Sequence, residues 1–206
     1  MLSMLFKGGP MIWVILLASA AAITVFVERL LYCHRSRINS TEFLNGVRTV
    51  MKRDNVVEAL SICDATPGPI PRMVKTALLN RDRGRERVRE SLEEAGLVEV
   101  PLLESKLSLL STIAHLAPLM GLLGTVLGFM HVFLDMRANG LQAMVAIQSG
   151  GIPEALVCTA AGLAVSIPAL AGYNYLVSRV NEIVLDMEKS ATEIMDIVMG
   201  ETNKKP

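Results

Sequence analysis

Three stretches of this chain carry no Lys, Arg, Asp or Glu: residues 8–27, 107–134 and 155–178. In a helix the 28 residues of the middle stretch extend about 42 Å at about 1.5 Å per residue, against about 30 Å of bilayer hydrocarbon. An ionised side chain at the bilayer centre costs about 2.5–3.5 kcal/mol even on a lenient insertion scale. Charge segregation of this kind is what a membrane selects. The chain is 51% hydrophobic with a formal net charge of zero, an average that hides how the charges are packed between the apolar runs. The expected fold is an all-α membrane protein with three transmembrane helices and long cytoplasmic helical extensions.

Basic residues set the expected orientation. Lys7 stands alone before the first run, whereas 14 Lys or Arg lie between residues 28 and 106. Arg137 is alone between the second and third runs, and Arg179, Lys189, Lys204 and Lys205 follow the third. The positive-inside rule then gives an external leader at 1–9, a span at 10–28 and a cytoplasmic loop at 29–106. It continues with a span at 107–134, an external turn at 135–152, a span at 153–178 and a cytoplasmic tail at 179–206. The first run has its heavier positive charge after the apolar stretch, which fits an uncleaved anchor rather than a signal peptide.

The loop reads as short helices with breaks. Ser40 and Thr41 are placed to cap a helix through Met51, and Asn55 with Glu58 marks another ending near Asp64. Pro67, Gly68, Pro69 and Pro71 force a turn, with Pro71 opening a helix to about Asn80. The run from Arg81 to Glu94 mixes both signs without interleaved aromatics, so it reads as a solvated helix face and not as a nucleic-acid surface. Leu92, Ala95, Leu102 and Leu103 carry apolar character toward Leu107, so the second membrane helix is expected to begin well inside the cytoplasm, bent at Pro101. After the third span, Val180, Val184, Met187, Ala191, Ile194 and Val198 are spaced 4, 3, 4, 3, 4, a bundle seam that needs partners. Copies of the same chain are the economical choice, hence an expected homo-oligomer around a central axis. Cys33, Cys63 and Cys158 form no CxxC pair and read as buried apolar packing.

The second and third spans share a design. On a helical wheel Ala114, Ala117, Pro118, Gly121, Gly124, Thr125 and Gly128 fall in one sector, opposite Leu116, Leu119, Leu123, Leu127 and Met130. Gly124 and Gly128 make a GxxxG step for close helix approach. In the third span Ala155, Thr159, Gly162, Ser166 and Tyr173 share one side. Two polar stripes on consecutive helices serve either as packing surfaces or as the lining of a wet path. Glu154 opens the third span. A carboxylate in a first helical turn is favoured by the free amides and the dipole by about 0.3–1 kcal/mol, and an acid at a membrane boundary also serves as a proton or ion relay. Five residues separate it from Thr159, so on a regular helix the two point about 140° apart.

Enzyme chemistry has no footing here. No HExxH, P-loop or nucleophile with its base is present, and the three histidines are scattered. His115 and His131 flank the small-residue face, where packing is the favoured reading of a lone histidine. No cofactor and no metal are expected. Any deeply buried titrating group that moves protons has to come from another polypeptide.

The segments GLLGTVLGFMHVF (121–133) and IPEALVCTAAGLAVSIPALAGYNYL (152–176) resemble the MotA/TolQ/ExbB proton channel family, in its three-span ExbB and TolQ branch. The resemblance implies a multi-pass protein of the bacterial inner membrane, N-terminus periplasmic and C-terminus cytoplasmic. It implies a pentamer around a central pore that holds a single-span ExbD-like or TolR-like partner carrying a membrane aspartate. A TonB-like or TolA-like protein is the implied receiver of the work. The family's channel threonines carry over to Thr125 and Thr159, and its third-span glutamate to Glu154. A passive scaffold that gathers a partner without conducting has the same spans and seam, and differs in tolerating substitution of these three residues.

Overall fold

In a computed structural model, which describes residues 9–36, 38–139 and 152–200, every regular element is helical. In order these are α1 (Gly9–Ser36), α2 (Ser40–Met51), α3 (Val56–Ala65), α4 (Pro69–Leu79), a 3-10 turn (Arg81–Arg83), α5 (Arg85–Glu104), α6 (Leu107–Asn139) and α7 (Ile152–Val198). Three stretches, within Met11–Met51, Arg85–Arg137 and Ala155–Val198, are long and apolar enough to cross a membrane. Residues 1–8, most of the expected external turn (140–151) and the end of the tail (201–206) lie outside the described residues.

The chain divides into two compact units, one made of Met1–Arg29 and Lys106–Tyr175, the other of Leu30–Ser105 and Leu176–Pro206. In the first unit, α6 buries Leu107, Leu110, Ala114, Ala117, Gly121 and Gly124 at steps of three and four, the period of one helix face. Leu116, Leu119, Leu122, Leu123, Leu127 and Met130 on its other side are exposed. An apolar surface this continuous belongs against lipid or another chain rather than water. On α7 the buried stripe is Ala155, Cys158, Gly162, Ser166 and Ala169. Lys106 Nζ donates to Glu28 Oε1 within this unit, an ion pair joining charges that flank two of the apolar runs.

The expected continuous helix is broken before α6, at Lys106. Pro101 is accommodated inside α5, whereas Lys106 adopts φ +62°, a left-handed turn that ends one helix before the next begins at Leu107.

In the second unit the cap of α2 is Asn39, one residue ahead of the expected Ser40 and Thr41. Its carboxamide oxygen accepts from the Glu42 amide at 3.4 Å, which a serine hydroxyl one residue later in the helix cannot reach. Asn55 caps α3 as expected, accepting from the Glu58 amide at 3.3 Å while its own amide donates to the Glu58 carboxylate at 2.8 Å. Asn55→Ala is expected to lower stability by about 1 kcal/mol, measurable as a shift in the thermal unfolding of the detergent-purified protein. Helix α4 starts at Pro69, two residues before the expected Pro71, because Gly68 at φ +139° turns the chain just ahead of it. The mixed-charge run is laced by Arg87–Glu90 (3.0 Å), Arg87–Glu94 (3.2 Å) and Arg89–Glu93 (3.0 Å), consistent with a solvated face.

Helix α7 continues from the third span without interruption over 47 residues. Its buried stripe in this unit is Val180, Ile183, Met187, Ser190, Ile194, Ile197 and Val198, while Val184 and Ala191 are only half-buried. Four of the six expected seam residues, Val180, Met187, Ile194 and Val198, are therefore buried within a single chain, with Ile183, Ser190 and Ile197 beside them. Arg48 of α2 binds Glu193 of α7 at 2.5 Å on the same side. Cys33, Cys63 and Cys158 are all buried, as their reading as packing residues expects. Burial, then the neighbouring Asp64, pushes the Cys63 thiol up to about 11, so a maleimide at neutral pH is expected to leave it unmodified in the folded protein.

Candidate functional site

The small-residue faces of α6 and α7 meet, and their closest approach is backbone on backbone. A Cβ built on Gly162 would stand 2.6 Å from the Ala117 carbonyl oxygen, and one on Gly121 would stand 2.9 Å from the Cys158 carbonyl oxygen. No side chain fits at either place. Gly124 and Gly128 continue the contact, against the side chains of Cys158 and Ala155. Among lipid tails there is little hydrophobic drive between helices, so this packing and the hydrogen bonds it permits supply the association.

The close approach brings the two predicted threonines together. Thr125 Oγ1 and Thr159 Oγ1 are hydrogen-bonded to each other. Thr125 Oγ1 also lies within donating distance of the Gly121 carbonyl (3.1 Å) and the Ala155 carbonyl (3.2 Å), and Thr159 Oγ1 of the Gly121 carbonyl (3.2 Å). Each hydroxyl has one proton. One proton is used between the two oxygens, and the other goes to a carbonyl. Either threonine can act as the internal donor, so the pair has two proton arrangements of closely matched geometry. Both side chains are half-buried, at the edge of the contact and not sealed within it.

Ser166 is placed differently. Its hydroxyl donates to the Ala114 carbonyl at 2.7 Å and is buried, so within one chain it clasps the two helices. Glu154 lies in the first turn of α7 behind Pro153, a residue suited to a helix start, and its side chain is outside the described residues. Cys158 is buried, as its reading as apolar packing expects, and it abuts Gly124; sequence reasoning missed Gly172, where an added Cβ would stand 2.9 Å from the Phe26 ring of α1. A second small-residue stripe one step around α7 was the available signal.

The fold and this contact define a multi-pass helical membrane protein, whose second and third spans are joined through glycines and a pair of hydroxyls. Residues 65–189 match the MotA/TolQ/ExbB proton channel family, and the chain belongs to that family. It is 30% identical over 182 residues to a putative biopolymer transport protein ExbB homolog of Methanothermobacter thermautotrophicus, covering 88% of this chain and 64% of the relative. It is 27% identical over 212 residues to the biopolymer transport protein ExbB of Neisseria gonorrhoeae, covering 94% of each. To the Tol-Pal system protein TolQ of Haemophilus influenzae it is 40% identical over 100 residues, 48% of this chain and 43% of the relative.

Proposed function

We propose that this chain is the ring-forming subunit of a proton-driven motor in the bacterial inner membrane, with its N-terminus periplasmic and its C-terminus cytoplasmic. In this reading five copies place α6 and α7 around a central passage, and a single-span ExbD-like or TolR-like protein occupies it. That partner brings the carboxylate which the charge-free runs 107–134 and 155–178 lack. Protons descending their gradient past it move partner and ring relative to one another, and a TonB-like or TolA-like protein carries the work outward. One elementary charge crossing 100 mV releases about 2.3 kcal/mol, so one or two protons per step bias a two-state motion by several kcal/mol.

The observation that carries this reading is the Thr125–Thr159 hydroxyl pair, held half-buried where glycines bring the charge-free runs of two helices together. Two matched proton arrangements suit a group that hands hydrogen bonds to a passing water or carboxyl. Glu154, at the mouth of α7, is assigned the control of proton entry or of the partner helix's position. The names of the relatives, biopolymer transport and Tol-Pal, support an energising role.

Affinity purification of the full chain from its native membrane in mild detergent tests the assembly. A small single-span protein with an acidic residue inside its span is expected to co-purify in fewer copies than the chain. Recovery of the chain without such a protein, or a scaffold complex that works normally with Glu154→Ala and both threonines replaced, overturns the reading.

A further inference from the structure

We propose that Glu99 is a proton-binding site of the second unit, and that gain or loss of its proton sets the grip of α5 on α4. The proposal stands on the geometry of that unit alone and is independent of the motor reading.

Glu99 occupies a core position. The buried residues of α5 are Val88, Ser91, Leu92, Glu99 and Leu103, and Glu99 is only 7% exposed. One carboxyl oxygen, Oε1, lies 3.4 Å from Arg72 Nε on α4. The other, Oε2, is fully buried and has no hydrogen-bond partner. Arg72 is a divided partner, since the same Nε donates to the Gly68 carbonyl at 3.2 Å and the side chain is 53% exposed. A buried carboxylate held for stability alone is expected to have both oxygens satisfied, because an ionised oxygen without a partner in a dry site carries its full desolvation cost. Here one oxygen is left bare. Adding a proton removes that charge without disturbing the helix packing.

The surrounding charges do not change this balance. Arg72 is the charged group whose field acts on Glu99, and its pull is weaker than the opposing effect of burial, so the carboxyl is held above the usual range for a glutamate. Other charged groups of the unit are engaged with one another: Lys75 with Asp64, Arg81 with Asp54, Arg87 with Glu90 and Glu94, Arg89 with Glu93, Arg48 with Glu193, and Arg179 with Glu182.

Linkage gives the sign. A carboxyl whose folded pKa is raised contributes stability fully below its unfolded pKa, about 4.3 for glutamate, and loses that contribution as pH rises through the folded value. The test is thermal unfolding of the full chain in detergent from about pH 8 to about pH 5, for the unaltered protein, Glu99→Gln and Arg72→Met. Glutamine imitates the protonated acid, so Glu99→Gln is expected to unfold at a higher temperature than the unaltered protein at the alkaline end, the gap closing as pH falls. Arg72→Met, which removes the opposing cation, is expected to move the closing of the gap to higher pH when compared with Arg72→Met/Glu99→Gln. A gap that is constant with pH, or that opens as pH falls, overturns the proposal and leaves Glu99 an ordinary ion-pair partner. Should Glu99→Gln fail to fold, infrared difference spectra decide: a protonated-carboxyl band titrating above the ordinary carboxylate range, and moved upward by Arg72→Met, supports the site. Its absence overturns it.

Discussion

Thr159→Val is expected to abolish proton-driven work while leaving the protein folded and assembled. Valine keeps the branched shape but loses the hydroxyl. Thr125 retains the Gly121 and Ala155 carbonyls as acceptors at 3.1 and 3.2 Å, so no buried donor is stranded. Interhelical hydroxyl bonds in membranes average about 0.6 kcal/mol, too little to threaten a helix pair held by close packing. Function and stability are therefore expected to separate. Growth dependent on the energised process reads the first, and recovery of the intact complex in detergent reads the second. Full activity in Thr159→Val cells contradicts any part for the hydroxyl pair in proton movement; loss of the complex itself means that the hydroxyl is structural.

Gly162→Ala is expected to do the reverse, damaging the fold first. The added methyl would meet the Ala117 carbonyl oxygen at 2.6 Å, and the Gly121 Cα and amide nitrogen lie at 3.0 and 3.2 Å. These are backbone atoms of a facing helix and cannot rotate aside. Overpacking of this kind costs about 1–3 kcal/mol, and separating the helices also breaks the threonine pair nearby, so stability and function fall together. Gly46→Ala provides the contrast. It lies within α2 and has nothing within 4 Å of an added Cβ, so the same substitution is expected to stabilise by about 0.5–1 kcal/mol through helix propensity. Melting temperatures of the two variants in one detergent are expected to move in opposite directions.

These contrasts also mark what was legible in the residues. The spans follow from charge-free length alone, because the bilayer penalty acts on each residue separately. The small-residue faces of α6 and α7 follow from the wheel, which left packing and the lining of a wet path open; their contact with each other is seen in the close approach of Gly121 and Gly162. The meeting of Thr125 with Thr159 was not legible: helix faces predict which sides meet, but register along the contact is set by which glycine opposes which carbonyl. The seam of α7 was legible at Val180, Met187, Ile194 and Val198, whereas Ile183, Ser190 and Ile197 are as well spaced as Val184 and Ala191 and only packing within the unit decides between them. Glu99 was not singled out in the sequence. Its burial depends on α4, a helix set by Gly68 and the prolines around it, and no local pattern reveals that. The left-handed turn at Lys106 was hidden for a related reason, since Pro101 offered a more familiar break.

The central claim is that the two threonine-bearing helices form a passage which conducts only when a partner supplies the ionisable group. Proton flux into vesicles under an imposed potential tests it most directly, comparing the chain alone, the complex co-purified from its native membrane, and that complex carrying Thr159→Val. The expected result is flux in the unaltered complex and none above background in the other two. Equal flux from the chain alone, or from the valine complex, contradicts it.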